Sequence, residues 1–217
     1  MNSQDVLARY QPLYAGLVSD AVEALDLGPR AAAPDLAPFH TQRLRVAVGW
    51  AFPIEVRQTS ERVEIDRLLD AVAASPVDSM VVVAADVDVH GALWGGLMTT
   101  GVQQRGARGA VVDGGIRDLH QVLPADFAVW AGYRSPLDIR GRAEVVGHGS
   151  PVSFRGVRVE PRDLVFADAT GVVVVPAGQI LTVLDYCENR RKDEVATNKA
   201  LAAGDEPSAV YERYGAF

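Results

Sequence analysis

Cysteine is almost missing from this chain of 217 residues: Cys187 is its only one. That excludes an internal disulfide and any zinc cage built from cysteines. Lysine is nearly as scarce, with only Lys192 and Lys199. Long apolar runs are lacking too. The longest, such as Val81–Ala85 and Val172–Pro176, are strand-sized, whereas a membrane span needs about 20 apolar residues. The opening MNSQDVLARY has no basic start followed by an apolar block, so no secretory signal is expected there. No membrane partner is expected, and a cytoplasmic location is the default. Positive charge is in deficit: the net charge is −7. That argues against a nucleic-acid partner, because phosphate-backbone binding needs a positive surface.

What is present suits a globular α/β protein. Apolar residues make up 48% and charged residues 23%, and the length suits one domain over 1–217. The first thirty residues read as helical. Ser19 is placed to cap a turn beginning Asp20-Ala21-Val22, and Gly28-Pro29 to stop it. A link rich in Pro and Ala, Ala31–Pro38, leads to a strand over Leu44–Val56 with a bend near Gly49. Ile65–Ala74 reads as a helix with Ile65, Leu68, Leu69 and Val72 on one face, ended by Ser75-Pro76.

Three β-branched runs follow: Met80–Val89, Gly109–Asp113 and Ala128–Trp130. A helix over Leu97–Arg108 lies between the first two, which predicts a parallel βαβ crossover. Beyond Trp130 the pattern becomes short strands: Arg142–Val146, Val152–Phe154, Val157–Val159, Leu164–Ala167 and Gly171–Val175. Asp168-Ala169-Thr170-Gly171 predicts a tight hairpin between the last two. A long helix, Ala177–Ala203, ends at Gly204. Its first half packs through Ile180, Leu181, Leu184 and Cys187. Its second half, Glu188–Glu194, is polar on all sides, as in a helix that is solvated or crosses to another subunit. Tyr211, Tyr214 and Phe217 in the tail pack either on their own domain or on a neighbouring chain.

The segment Gly91–Val122 carries the chemistry. Gly95-Gly96 lies between a strand and a helix, so the amides of Gly96, Leu97 and Met98 are first-turn donors with no intrahelical acceptor. The glycines let an anion approach, and the helix dipole favours negative charge there. The strand Val111-Val112 runs into Asp113-Gly114-Gly115-Ile116-Arg117-Asp118. Both loops fall at the carboxyl ends of parallel strands, where ligands bind in such sheets. Arg117 offers a planar fork for a carboxylate. Asp118 offers hard oxygens for Mg2+ or Mn2+.

These residues resemble a known family. The motif around Asp113-Gly114-Gly115 and Arg117-Asp118 is similar to proteins grouped with the regulator of ribonuclease activity A and with 4-hydroxy-4-methyl-2-oxoglutarate aldolase. Val18-Ser19-Asp20-Ala21, Gly132-Tyr133-Arg134-Ser135-Pro136 and Ala167-Asp168-Ala169-Thr170-Gly171-Val172 resemble its other blocks. The resemblance implies an αββα layered sandwich of the swivelling-domain type, here with a C-terminal helical arm over about 177–217. It implies a homotrimer or a dimer of trimers with sites at subunit interfaces. It also implies divalent-metal-dependent cleavage of a small anionic keto acid. Under it, Arg117 and Asp118 are catalytic, Arg117 holding the pyruvyl group and Asp118 the metal. The turn Gly95, Gly96, Leu97 and Met98 binds the substrate carboxylate. A Schiff-base lysine is not needed.

The chain departs from the family pattern in one place. The aldolases carry Asp or Glu twenty-one positions before the Arg, and here that position is Gly96. Asp88, His90 or a carboxylate from another chain is a candidate substitute. Asp88 and His90 alternate with Val87 and Val89, which half-solvated strand packing explains equally well. The resemblance also implies a catalytic carboxylate from a neighbouring subunit's terminal helix, a place that falls to Glu194 or Asp193 here. The competing reading pairs Glu194 with Arg190 on the helix surface. His120 is either near the site or on a surface helix. Three functions stay open: a metal-dependent lyase for 2-keto acids, acting by retro-aldol cleavage or oxaloacetate decarboxylation; a non-catalytic regulator of a ribonuclease; and a lyase or hydratase of altered range.

Overall fold

The computed structural model describes residues 2–40, 45–62, 64–85 and 89–215. Position 88, one of the candidate substitutes for the missing acid, lies outside them, as do Leu44 and Phe217. The chain opens with two helices, α1 (Ser3–Tyr10) and α2 (Ala15–Ala24). Then come β1 (Ala37–Pro38), β2 (Ala47–Gln58), α3 (Asp66–Ala74), β3 (Ser79–Ala85), β4 (Ala92–Trp94), α4 (Gly96–Gln104), β5 (Gly109–Ile116), α5 (Leu119–Val122) and β6 (Ala128–Arg134). The later part holds β7 (Ala143–His148), β8 (Val152–Phe154), β9 (Val157–Val159), β10 (Leu164–Ala167), β11 (Val172–Val175), α6 (Ile180–Ala202) and α7 (Pro207–Tyr214).

Nine of these strands form one mixed sheet in the order β1-β6-β5-β3-β2-β10-β11, with β4 against β5 and β7 against β2. Strands β2, β3, β5 and β6 run parallel, and β10 and β11 turn back antiparallel. The β3–α4–β5 crossover is the expected one. The layers follow from period-two alternation. Val81 and Val83 of β3 face a core shared with Leu68, Val102 and Val122 of α3, α4 and α5. Met80 and Val82 face an inner core with Trp130, Phe154 and Val157. In β11, Val172 and Val174 join that inner core, while Val173 and Val175 pack under α1, α2 and α6. Helices therefore flank a sheet that curls on itself, the αββα arrangement, with the helical arm α6–α7 beyond it. Among the described residues, no helix is long and apolar enough to cross a membrane.

Two local expectations are corrected. Ser19 does not cap a helix: α2 already begins at Ala15, and Ser19 lies in its interior. The cap comes from far along the chain, since Ala15 N donates to Asp168 Oδ2 at 2.7 Å. Asp168 also accepts from Thr170 N at 2.7 Å through Oδ1, so one carboxylate shapes the β10–β11 hairpin and starts α2. The apolar face of α3 divides: Leu68 and Val72 pack against the core, while Leu69 is 55% exposed and only Ala71 of that helix is fully buried. The second correction is Leu181, which is exposed; Val183 takes its place beside Ile180, Leu184 and Cys187 in the packed half of α6. The tail packs on its own domain through Val210, with Tyr211 exposed. Gly204, at φ +92°, ends α6 as expected.

Candidate functional site

Strand β4 lies parallel to β5, with Ala92 opposite Gly115 and Trp94 opposite Ile116. The glycines of Asp113-Gly114-Gly115 make this approach possible. A Cβ on Gly115 would stand 2.6 Å from Gly91 O, and one on Gly114 2.6 Å from Leu93 Cδ1. The two strands thus deliver Gly95 and Arg117 to one place, and Arg117 N donates to Trp94 O at 3.0 Å. Tyr133 on β6 donates its hydroxyl to Val89 O and pins the approach to β4.

Asp118 sits in the left-handed region, at φ +55° and ψ +39°. Asp tolerates that conformation at a cost of about 1–3 kcal/mol. The turn lets its carbonyl start α5, accepting from Gln121 N at 2.8 Å. Its carboxylate points at α4: Oδ2 lies 3.4 Å from Gly96 N and 3.6 Å from Arg117 Nε. On the other side, Arg117 Nη1 is 3.5 Å from Asp138 Oδ2. Charge-assisted bonds are typically about 2.7–2.9 Å. The guanidinium is therefore held between two carboxylates without being locked to either. Burial acts to raise the Asp138 pKa, but the Arg140 amide and the charges of Arg117 and Arg140 outweigh it and hold the carboxyl below its ordinary value.

These groups line a cavity of about 210 Å³. The structure brings Gly95, Leu97, Met98, Arg117 and Asp118 together around it, with Gly96 immediately behind. The amides of Leu97 and Met98 lie in the first turn of α4, whose register gives them no intrahelical acceptor. A Cβ on Gly96 would fall 2.2 Å from Gln121 Oε1. The place an acidic side chain at 96 would occupy is thus filled by the neutral amide of Gln121. Wider depressions occur elsewhere, one of about 680 Å³ beside Ala47, Arg108 and Phe127. That one lies at the amino ends of β2, β5 and β6, away from the strand ends where parallel sheets bind ligands.

Other expected residues are placed elsewhere. Glu194 accepts a hydrogen bond from Tyr14 of its own chain; burial and this contact push the Tyr14 phenol well above its ordinary pKa. Arg190, its alternative partner, donates instead to Gly215 O at 2.6 Å. Asp113 pairs with Arg155 at 2.8 Å. His120 is exposed on α5 beside Gln121. Sequence reasoning missed Asp138, Gln121 and the α3 wall. The available signal for Asp138 was its place four residues beyond the carboxyl end of β6, which puts it at the same end as Arg117.

Among the described residues, no group of three or more His, Cys, Asp or Glu is arranged to hold a metal. The donors present, Asp118 and Asp138, suit a hard ion that takes one or two carboxylates and completes its shell with water and substrate. They do not suit a closed zinc cage.

The family model described as Aldolase/RraA matches residues 16–174. A putative 4-hydroxy-4-methyl-2-oxoglutarate aldolase of Halalkalibacterium halodurans is 32% identical over 130 residues, covering 59% of this chain and 60% of that protein. The chain spans from about a quarter to three fifths of the length of the first curated relatives it matches. A solved structure described as one of several novel cellulases from gut-associated microbes superposes with a TM-score of 0.85 at 29% identity, covering 90% of this chain and 88% of that one. Streptomyces coelicolor RraAS2, described as an unusual member of the RNase ES inhibitor RraA family, shares the fold at TM-score 0.80 and 20% identity, covering 91% and 97%. With more than two thirds of its length under the family model, this chain belongs to the Aldolase/RraA family.

Proposed function

We propose that this protein is a lyase for 2-oxo acids with an altered substrate range, favouring decarboxylation over retro-aldol cleavage. The observation that carries the reading is Arg117, held between Asp118 and Asp138 beside the first-turn amides of Leu97 and Met98. Breaking a carbon–carbon bond next to a keto acid leaves an enolate of pyruvate. A fixed guanidinium stabilises that charge as it develops, while the amides hold the carboxylate. Asp118, with Asp138 near, would hold Mg2+ or Mn2+, which supplies further neutralisation of developing charge.

The reaction preference comes from Gly96 and Gln121. A retro-aldol cleavage begins by taking a proton from a hydroxyl, and a carboxamide is no base. Decarboxylation of an oxaloacetate-type acid needs no such base. The bond from C3 to its carboxylate breaks, carbon dioxide leaves, and the electron pair passes to the enolate, which water protonates at C3. Purified protein with Mn2+ should release pyruvate from oxaloacetate above the rate of the metal alone, and little from 4-hydroxy-4-methyl-2-oxoglutarate. Arg117→Ala should lower kcat/KM at least about 100-fold. No protein-dependent pyruvate from either acid would overturn the proposal.

A second reading, a non-catalytic regulator of a ribonuclease E type enzyme, is favoured by the neutral amide of Gln121 where an acid would complete the site. It predicts inhibition of ribonuclease E by protein devoid of lyase activity, undiminished in Arg117→Ala. A trimeric or hexameric assembly with interfacial sites belongs to the lyase proposal, and native mass tests it. For Glu194 to serve a neighbour's site it would have to leave Tyr14.

A further inference from the structure

The cavity beside Arg117 has both a charged and an apolar lining. Arg117, Arg140, Asp118 and Asp138 contribute two charges of each sign. Leu68, Leu69 and Val72 of α3 line it too, with Leu97 and Met98 of α4. The charged side chains of α3, Asp66, Arg67 and Asp70, are not part of that lining. Leu68, Val72 and Met98 also pack against the core, but Leu69 is 55% and Leu97 84% exposed. Leucines left open to water beside a guanidinium are the pattern of a pocket for a ligand with a charged head and an apolar body. A second carboxylate lying against α3 would meet no α3 cation in the lining and would lose hydration against leucine.

We infer that the substrate is an oxaloacetate bearing a branched aliphatic or aromatic group on C3, so that the product is a hydrophobic 2-oxo acid. This rests on the reading of the Arg117 site as a 2-oxo acid decarboxylase. The chemistry is unchanged: carbon dioxide leaves from C3, the pair rests on the C2 oxygen as an enolate, and a proton from water ends on C3. The substituent lies along α3.

The stable products serve as probes. By calorimetric titration with Mn2+ present, 4-methyl-2-oxopentanoate and phenylpyruvate should bind at least about tenfold tighter than pyruvate, the worth of one buried apolar group. Leu69→Asn should reduce that ratio by roughly fivefold or more, and Leu97→Asn should do the same from α4. Both positions are exposed, and thermal melts check that each variant folds. Arg117→Ala should weaken all three acids together. If the three acids bind alike and Arg117→Ala weakens them all, the apolar-substituent inference falls while the decarboxylase reading stands. A ratio unmoved by both wall variants overturns it equally. If no acid binds, or Arg117→Ala binds as well as wild type, both fall together.

Discussion

Replacing Gly96 with alanine probes the contact that sets this chain apart, and its cost depends on one other residue. A Cβ at 96 would lie 2.2 Å from Gln121 Oε1 and 2.8 Å from both Cβ and Cδ of Gln121. The amide can swing outward, because Gln121 is exposed. Its Cβ cannot, since the α5 backbone fixes it; relief needs α4 and α5 to move apart slightly. Overpacking of this kind costs about 1–3 kcal/mol. The conformation of Gly96 is not in the left-handed region, so the same substitution should otherwise favour the helix by up to about 1 kcal/mol. Gly96→Ala should therefore cost a net of up to about 3 kcal/mol and lower Tm by up to about 12 °C, at roughly 2–4 °C per kcal/mol for a chain of this size. In a Gln121→Gly background it should cost nothing or stabilise. Gln121→Ala, which keeps the Cβ, should rescue only in part. Thermal melts of the four proteins of the cycle, followed by far-UV circular dichroism, give the coupling directly. A penalty that is the same in both backgrounds would refute the packing argument, and with it the claim that Gln121 fills the space beside position 96.

Other expectations follow from the same contacts. Asp168→Ala removes the acceptor for Ala15, Thr170 and Gly171 amides and should cost about 2–4 kcal/mol, read as a Tm lower by roughly 4–16 °C. Burial pushes the Cys187 thiol up to about 12, so a disulfide reagent at pH 8 should leave it unreacted in native protein and label it quickly in denaturant. Asp138 has its pKa lowered from 3.8, so its contribution to stability is present above that value and is lost as pH falls through the lower folded one. The Tm difference between wild type and Asp138→Asn should then be constant above about pH 5 and shrink toward pH 3. Gly96→Asp combined with Gln121→Gly gives a carboxylate room beside Asp118, and should raise retro-aldol turnover relative to decarboxylation in a pyruvate-release assay.

The parts legible in the sequence are those where a local pattern and a tertiary demand coincide. Val152–Phe154, Val157–Val159 and Leu164–Ala167 are strands with the expected bounds, because alternation and turn residues act within a few positions. Arg117 and Asp118 were legible for a related reason: a buried β-branched strand can only end at the sheet's rim, and a charged pair there faces whatever the rim encloses. Strand β4 was not legible. Three residues carry too little pattern, and its existence depends on Gly114 and Gly115 clearing space for it on β5. The start of α2 was missed because its cap, Asp168, is 153 positions away. Glu194 met Tyr14, 180 positions away, for a comparable reason. The face of α3 is the most instructive case. Helical spacing correctly put Leu68, Leu69 and Val72 on one side, yet periodicity states only where a face points. Within one stripe, Leu68 and Val72 pack against the core while Leu69 stays exposed. Reading chemistry from such a chain therefore turns on apolar faces that the fold buries only in part, because a pocket and a core are written in the same residues.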